Sequence, residues 1–434
     1  MVTIHRTQKM NAYNYPCMEP LMIDLTKLRE NPTHVKELIL RKEPTFPIDQ
    51  LIELDQTVKN LKSTLEQLRK EKNDLAAQGA KGITAELREK GSELGKKIKE
   101  QEAELATQEE TFNNLWLSCP NLPQDDLPIG NKEANKAVRT IGSKQAFSFT
   151  PKNHVELNEK AGWFDFQAGA KMSGAQFALY RGIGTKVIYA LTRIMLKNNV
   201  MHGFEPIIPP YLVTEKALYN SGNLPKFRGD YYEVPAHGLN LIPTAEVSLT
   251  NLYANQILDT NQLPLRMTAW TSCFRSEAGT YGALERGLIR IHQFEKCEIY
   301  SICAAEQSHQ ELEMMVGCGE KILQQLGLHY RVSLLATQDC SFSSSRTYDI
   351  EVWLPGQQQY YEVSSCSNCT DFQARRAQIR HRRSADEKPE IAHTLNASSL
   401  ALPRLMVALM ETYQQEDGSI KLPEVLQKEM DALW

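Results

Sequence analysis

The chain has 434 residues, more than one hydrophobic core usually organises, so two domains or one large domain with an appendage are expected. Hydrophobic residues at 41% and charged residues at 24% exclude wholesale disorder. Forty-nine basic residues against 53 acidic ones give a net charge of -4, which excludes a polycation, so any nucleic-acid contact must come from a local basic patch.

In chain order, residues 1–21 have neither a periodic pattern nor the apolar stretch of a secretory signal, and they read as a disordered extension. No run of about eighteen apolar residues offers a membrane span. The nine cysteines are odd in number and dispersed, which is no disulfide framework and points to a reducing cytosol. Cys366 and Cys369 have the spacing of half a zinc site, but no second pair follows at ligand spacing. Two buried thiols are the expected reading, with no zinc.

Leu51, Leu54, Val58, Leu61, Leu65, Leu68 and Leu75 step by three and four, broken only by Lys72, which is a coiled-coil seam. After the Gly79-Ala80-Lys81-Gly82 break the steps resume through Leu87, Gly91, Leu94, Ile98, Leu105, Phe112 and Leu115. Two such helices form an antiparallel hairpin over about residues 49–118, projecting roughly 40 to 45 Å at 1.5 Å per residue. Its flanks carry basic residues such as Lys62, Arg69, Lys90 and Lys97 among many glutamates. These read either as a solvated helical face or as a lever that touches phosphates. A proline-rich stretch from Cys119 to Pro128 ends the hairpin, because proline cannot continue a helix interior. The boundaries are then 22–131 for the arm domain and 132–434 for the second domain.

In the second domain a long helix is expected over Ala175 to Asn199, and a strand over Gly203 to Val213 that ends on prolines. Strands are expected at Trp270 to Glu277 and Gly287 to Ser301, and at Tyr348 to Leu354 and Tyr360 to Ser364, with a closing helix at Leu400 to Tyr413. Hairpins followed by helices mean an α+β domain with an antiparallel sheet.

Neither common phosphate-cradling glycine loop is present, so nucleotide binding must use side chains. Arg275 and Glu277 lie two apart on an expected strand and so share a face, as do Arg290, His292, Phe294 and Glu298 on the next. An arginine clamps a phosphate or carboxylate in a bidentate fashion, though the first pair alone is also a common surface salt-bridge pattern. Asp349, Glu351, Glu362, Ser364 and Ser365 supply oxygens that suit Mg²⁺, with structural hydrogen bonding as the competing reading. Thr244-Ala245-Glu246 either holds an amine or hydroxyl or is a helix N-cap with an acidic first turn.

Together these strings resemble the seryl-tRNA synthetase family of class II aminoacyl-tRNA synthetases, from Met22 to Trp434. The resemblance is carried by Phe274-Arg275-Ser276-Glu277-Ala278-Gly279, His292-Gln293-Phe294-Glu295-Lys296, Ser364-Ser365-Cys366-Ser367-Asn368 and Asp371-Phe372-Gln373-Ala374-Arg375-Arg376. Residues 203–213, 274–298 and 395–404 are similar to class II motifs 1, 2 and 3. It implies a class II antiparallel sheet flanked by helices, with the hairpin as an N-terminal arm that grips tRNA(Ser).

The implied reaction joins L-serine to ATP as seryl-adenylate and passes serine to the 3′ end of tRNA(Ser), and to tRNA(Sec) where the host has one. Thr244, Ala245, Glu246, Glu298, Asn396 and Ser398 would hold serine. Arg275, Ser276, Glu277, Phe294, Glu362, Val363, Ser364, Ser365 and Arg404 would hold ATP, with Arg275 and Arg404 catalytic and Glu362 and Ser365 carrying Mg²⁺. Glu362 and Ser365 are an odd number apart, so a bulge or strand end must bring them together. The family further implies a cytoplasmic homodimer without a membrane partner. Motif 3 departs from the family by Ala397 and Ser399 in place of glycines, two side chains expected to tighten the pocket floor. The basic run of Arg375, Arg376, Arg380, Arg382 and Arg383 reads equally as a contact for the tRNA acceptor end or as a charged surface.

Overall fold

The computed structural model describes residues 23–79, 84–277 and 287–434; the expected extension over residues 1–21 and the residues 80–83 between the arm helices lie outside them. Near the N-terminus Asp24 and Asn31 cap two short helices, Leu25–Glu30 and Pro32–Lys42, the second opening on a proline whose missing N–H costs nothing there. The stepped leucines then give Ile48–Gly79, and Thr84 caps the return helix Ala85–Leu117. At 32 and 33 residues these helices reach about 48 Å, somewhat beyond the roughly 40 to 45 Å expected from the seam. Leu51, Leu54, Val58 and Leu65 bury against the return helix, where Ile98, Phe112 and Trp116 are buried. Lys72, the break in the seam, lies over Gly95, with its Nζ 3.8 Å from where a Cβ there would stand.

The base of the arm is tied to the second domain by buried polar groups. Lys42, 7% exposed, donates to the carbonyls of Asn121, Phe342 and Ser344 at 3.3, 3.3 and 2.5 Å. Arg376 donates to the carbonyls of Leu117, Leu224 and Tyr219 at 3.0, 2.8 and 3.3 Å. Burial pushes the Lys42 ammonium down to about 8 and the Arg376 guanidinium down to about 9. Arg375 pairs with Asp24 and Asp371 at 2.8 Å each. Arg375 and Arg376 are therefore interior struts, and neither alternative offered for the basic run holds for them.

The second domain is built on eight strands in the order Lys136–Ile141, Tyr330–Leu334, Arg346–Leu354, Gln359–Thr370, His393–Ala401, Gln293–Cys303, Leu265–Phe274 and Glu205–Pro206. All neighbours pair antiparallel except the two-residue edge strand Glu205–Pro206. One face packs on the helices Ile183–Met201, Ser308–Gln325 and Leu402–Thr412, burying Cys297, Ile299, Ile350, Val352, Leu395 and Ala397. The opposite face carries the polar set of each strand, with the helices Ala245–Leu252 and Phe372–Ala377 beside it. Alternation of side chains across a strand thus separates the core from the site.

Four expectations are corrected. The long helix starts at Ile183 rather than Ala175, because Gly182 adopts φ +55 and Gly184 sits against the Trp163 carbonyl where a Cβ would come within 2.2 Å. Residues 203–213 form two short strands, Glu205–Pro206 and Leu212–Thr214, split by the prolines. The strand expected at Trp270 to Glu277 ends at Phe274, and the one expected from Gly287 begins at Gln293 after a short 3-10 turn.

Candidate functional site

Four central strands place their polar residues on the face away from the three long helices. From Gln293–Cys303 come Phe294, Lys296 and Glu298; Glu298 pairs with Ser398 across one neighbour, and Lys296 with Thr271 across the other. Strand His393–Ala401 adds Asn396 and Ser398. Ala397 and Ser399 point the other way: Ala397 is fully buried in the helix-side core, and the Ser399 hydroxyl donates to Asn199 Oδ1 at 2.9 Å. They do not narrow the pocket floor, because successive residues of a strand face opposite sides.

Thr244 is the N-cap of the helix Ala245–Leu252, its Oγ1 accepting from the Glu246 N–H at 3.3 Å, so the capping reading is correct. The same oxygen accepts from Lys296 Nζ at 2.7 Å and lies 3.4 Å from Glu298 Oε2. Lys296 pairs with Glu298 at 2.5 Å. Glu246 Oε1 accepts from Gln373 Nε2 at 2.6 Å and Asn396 Nδ2 at 3.0 Å. Burial first, and then the charge of Glu298, push the Glu246 carboxyl up to about 7, against the lowering effect of Lys296. The result is a polar pocket with two carboxylates and one ammonium, suited to a small cationic or hydroxylated group. Ala245 is fully buried and offers only main-chain atoms.

Beside this pocket a cleft is lined by Arg275, Glu277, Phe294, Lys296, Glu362, Ser398 and Arg404. Arg275 lies just past the strand end and is exposed; its guanidinium carbon is 5.2 Å from the Phe294 ring centroid. Ser276 donates to the Gly229 carbonyl at 2.5 Å. Glu277 does not share a strand face with Arg275: it has φ +49, beyond the strand, and pairs with Arg290 at 2.7 Å. Arg290 and His292 precede their strand, and His292 Nδ1 lies 3.0 Å from the Arg275 carbonyl. Arg404 donates to the carbonyls of Glu362 and Ile289 at 3.0 and 3.3 Å and lies 3.2 Å from the Glu362 carboxylate.

Between Ile350 and Glu351 the pairing with Gln359–Thr370 shifts from Ser364 to Glu362, so Val363 is the extra residue of a bulge. It turns Glu362 and Ser365 to one face, as their odd spacing required, and sends Val363 into the core. Val363 thus faces away from the cleft, and the Ser364 hydroxyl is taken up by the Ser398 carbonyl. Asp349, opposite Ser365, is raised by burial and by Glu362, and its Oδ1 is buried without a hydrogen-bond partner. Cys366 and Cys369 are both buried thiols. Lys296 and Gln373 were not singled out from sequence. The parity that picked Phe294 and Glu298 falls on Lys296 as well, but a lysine in an isolated strand reads as surface.

Residues 22–123 match the seryl-tRNA synthetase N-terminal domain, and residues 232–413 match the tRNA synthetase class II core domain (G, H, P, S and T). Serine–tRNA ligase of Desulfotalea psychrophila is 44% identical over 424 residues, covering 93% of this chain and 98% of that protein. The serine–tRNA ligase of Nitratidesulfovibrio vulgaris is also 44% identical, over 419 residues, with 95% and 99% covered. Among solved structures, seryl-tRNA synthetase from Pyrococcus horikoshii complexed with ATP aligns with a TM-score of 0.89 at 34% identity, covering 94% of this chain and 98% of that one. Cytoplasmic serine-tRNA ligase from Naegleria fowleri in complex with AMP aligns with a TM-score of 0.83 at 25% identity, covering 94% and 97%. With pocket, cleft and helical arm all on one chain, and with relatives matched over nearly their whole length, the chain belongs to the seryl-tRNA synthetase family of class II aminoacyl-tRNA synthetases.

Proposed function

We propose that the chain is a serine–tRNA ligase that activates L-serine with ATP and transfers it to the 3′ end of tRNA(Ser). The observation that carries this reading is the polar cluster of Thr244, Glu246, Lys296 and Glu298, which meets the arginine-lined cleft through Lys296. Glu246 and Glu298 receive the serine ammonium, and Thr244, Asn396 and Ser398 supply polar atoms for the rest of the amino acid, with Ala245 contributing main chain only. Phe294 stacks on adenine, Glu277 and Ser276 meet its edge and ribose side, and Arg275 and Arg404 clamp phosphates. Val363 and Ser364 shape the cleft through their backbone.

The serine carboxylate attacks the α-phosphorus; its oxygen forms the new P–O bond as the bond to pyrophosphate breaks. The nucleophile is already ionised, so no general base is needed. Arg275 and Arg404 act by positioning the reactants and by stabilising charge that develops on phosphate oxygens. The donors on this face suit Mg²⁺: oxygens from Glu362 and Ser365 share one side, with the unpartnered Asp349 Oδ1 behind them. Among the described residues no three His, Cys, Asp or Glu side chains gather as a metal-binding group. Glu362 and Ser365 would hold Mg²⁺, which would supply charge neutralisation on the phosphates.

The arm reaches along the tRNA; Lys62 and Arg69 are engaged with Glu109 and Glu102 across the hairpin and Lys90 with Glu86 along its helix, and exposed basic residues such as Lys97 are proposed to meet phosphates. A homodimer is part of the same proposal, as the family resemblance implies. Among the described residues no helix is long and apolar enough to cross a membrane, in keeping with a cytoplasmic enzyme. The same chemistry serves tRNA(Sec) where the host has one. Exchange of labelled pyrophosphate into ATP tests the activation step without tRNA. Serine supports exchange, and alanine is slower by about 10⁴- to 10⁵-fold, because it leaves buried polar groups unpaired. Equal exchange with alanine, or none with serine in a folded, magnesium-supplied sample, overturns the proposal.

A further inference from the structure

Among the described residues Lys296 is the one buried cation beside Thr244, Glu246 and Glu298, and the roles proposed above leave it without a task. It lies mid-strand between Leu265–Phe274 and His393–Ala401, opposite Thr271 and Ala401, and is 6% exposed. A lysine is kept in such a place only where its ammonium is paired and hydrogen-bonded. Both needs are met by the pocket itself, through Glu298 at 2.5 Å and Thr244 Oγ1 at 2.7 Å.

Two consequences follow from the chemistry of these atoms. Thr244 Oγ1 has two acceptor positions, and the Lys296 ammonium and the Glu246 N–H occupy both. Its own O–H is then left as a donor, directed at Glu298 Oε2 at a long 3.4 Å and able to turn to a substrate oxygen. An ammonium, which only donates, finds no acceptor on Thr244 and is left to the carboxylates. Second, Glu246 and Glu298 together with Lys296 leave one negative charge in excess when both carboxylates are ionised, which matches a single ammonium.

We infer that Lys296 is a positioning and specificity-determining residue for the amino-acid substrate: it fixes Glu298, makes Thr244 a donor to a substrate oxygen, and sets the pocket charge to accept one ammonium. This rests on the serine-activation reading and adds to it a residue and a division of labour. The groups facing Glu246 are Glu298 and Lys296 from the central strand, Gln373 from the helix Phe372–Ala377, Asn396 from the next strand, and Arg275, Tyr300 and Cys369 nearby. Of these, the Lys296 ammonium does most to hold the Glu246 carboxyl down. Its loss lets Glu246 keep its proton to higher pH, and the protonated form cannot pair with an ammonium.

The test is pyrophosphate exchange with serine and ATP varied in turn across pH, comparing the full chain with Lys296→Met, Lys296→Gln and Lys296→Arg. Lys296→Met raises the KM for serine about 10- to 100-fold, the scale of a lost charge-assisted hydrogen bond, and leaves the KM for ATP within about twofold. It also moves the low-pH limb of kcat/KM for serine upward by about one unit. Lys296→Gln drops the charge while keeping a donor, so it shows the same pH shift and carries the test if Lys296→Met does not fold. Lys296→Arg restores the charge and recovers most of the serine KM. A wild-type KM for serine and an unmoved pH limb in both neutral variants overturn the inference, as does an equal rise in both KM values with the limb unmoved. Absence of serine-dependent exchange in the unmodified chain instead removes the reading on which it rests.

Discussion

Glu246 shows how burial turns an ordinary carboxylate into a group that titrates where enzymes work. Its pKa of about 7 is the raised value of an acid, so the ionised form that meets an ammonium is full only above that pH and is lost as pH falls through it. The KM for serine in the unmodified chain therefore rises about tenfold per pH unit below about 7, one proton being taken up in the free pocket. Glu246→Gln flattens this dependence at a KM raised about 10- to 100-fold. Steady-state exchange kinetics between pH 5.5 and 8.5 (roughly the span one such titration occupies) check both, and an unchanged slope in Glu246→Gln counts against Glu246 as the titrating group. Thr244, Glu246, Glu298 and Ser398 were legible in sequence because their strings stand together in one family. Lys296 was not, because its strand parity matches Phe294 and Glu298 but a lysine on a strand ordinarily faces solvent. The error over Ala397 and Ser399 has the same origin: glycine replacements look like added bulk until strand parity sends them to the helix side.

At the scale of elements, the arm was readable almost to the residue, because a seam stepping by three and four over many turns has one physical meaning. Short and central strands were less so. His393–Ala401 is paired on both sides and mixes buried polar with buried apolar residues, which blurs the period-two signal. Tyr330–Leu334 and the helix Ser308–Gln325 went unremarked, though the latter buries Leu312, Met315, Val316, Ile322 and Leu323 in the main core. The bulge at Val363 was anticipated only as a need, from the odd spacing of Glu362 and Ser365. The arm also offers a stability test. Gly91 lies inside a helix, and a Cβ there would meet Leu75 Cδ2 at 3.7 Å, ordinary van der Waals distance. Gly91→Ala should stabilise the hairpin by about 0.5 to 1 kcal/mol, seen as a higher thermal midpoint in circular dichroism. A lower midpoint would mean that the two helices pack more closely at this level than the 3.7 Å approach indicates.

For the whole molecule, the account joins two units that do different work. On the proposed function the sheet face carries activation and the arm carries tRNA; Lys42, Arg375 and Arg376 fasten one unit to the other through carbonyl groups and Asp24. The arm core of Leu51, Phe112 and Trp116 closes near its base, while most residues from 60 to 79 are exposed, so the outer hairpin contributes little to the stability of the catalytic unit. Replacing residues 60–104 by a short glycine-containing turn should therefore leave serine-dependent pyrophosphate exchange within about threefold of the full chain, while transfer to tRNA falls by about 100-fold or more as phosphate contacts are lost. Loss of exchange in that variant would show that the arm supports the pocket directly. The most direct measurement is charging of tRNA(Ser) transcript by the full chain with labelled serine, ATP and Mg²⁺, read as serine esterified to the terminal ribose. The account predicts stoichiometric charging, one AMP formed per serine transferred, with no charging by alanine. Formation of seryl-adenylate without transfer, or charging with another amino acid in preference to serine, would contradict it.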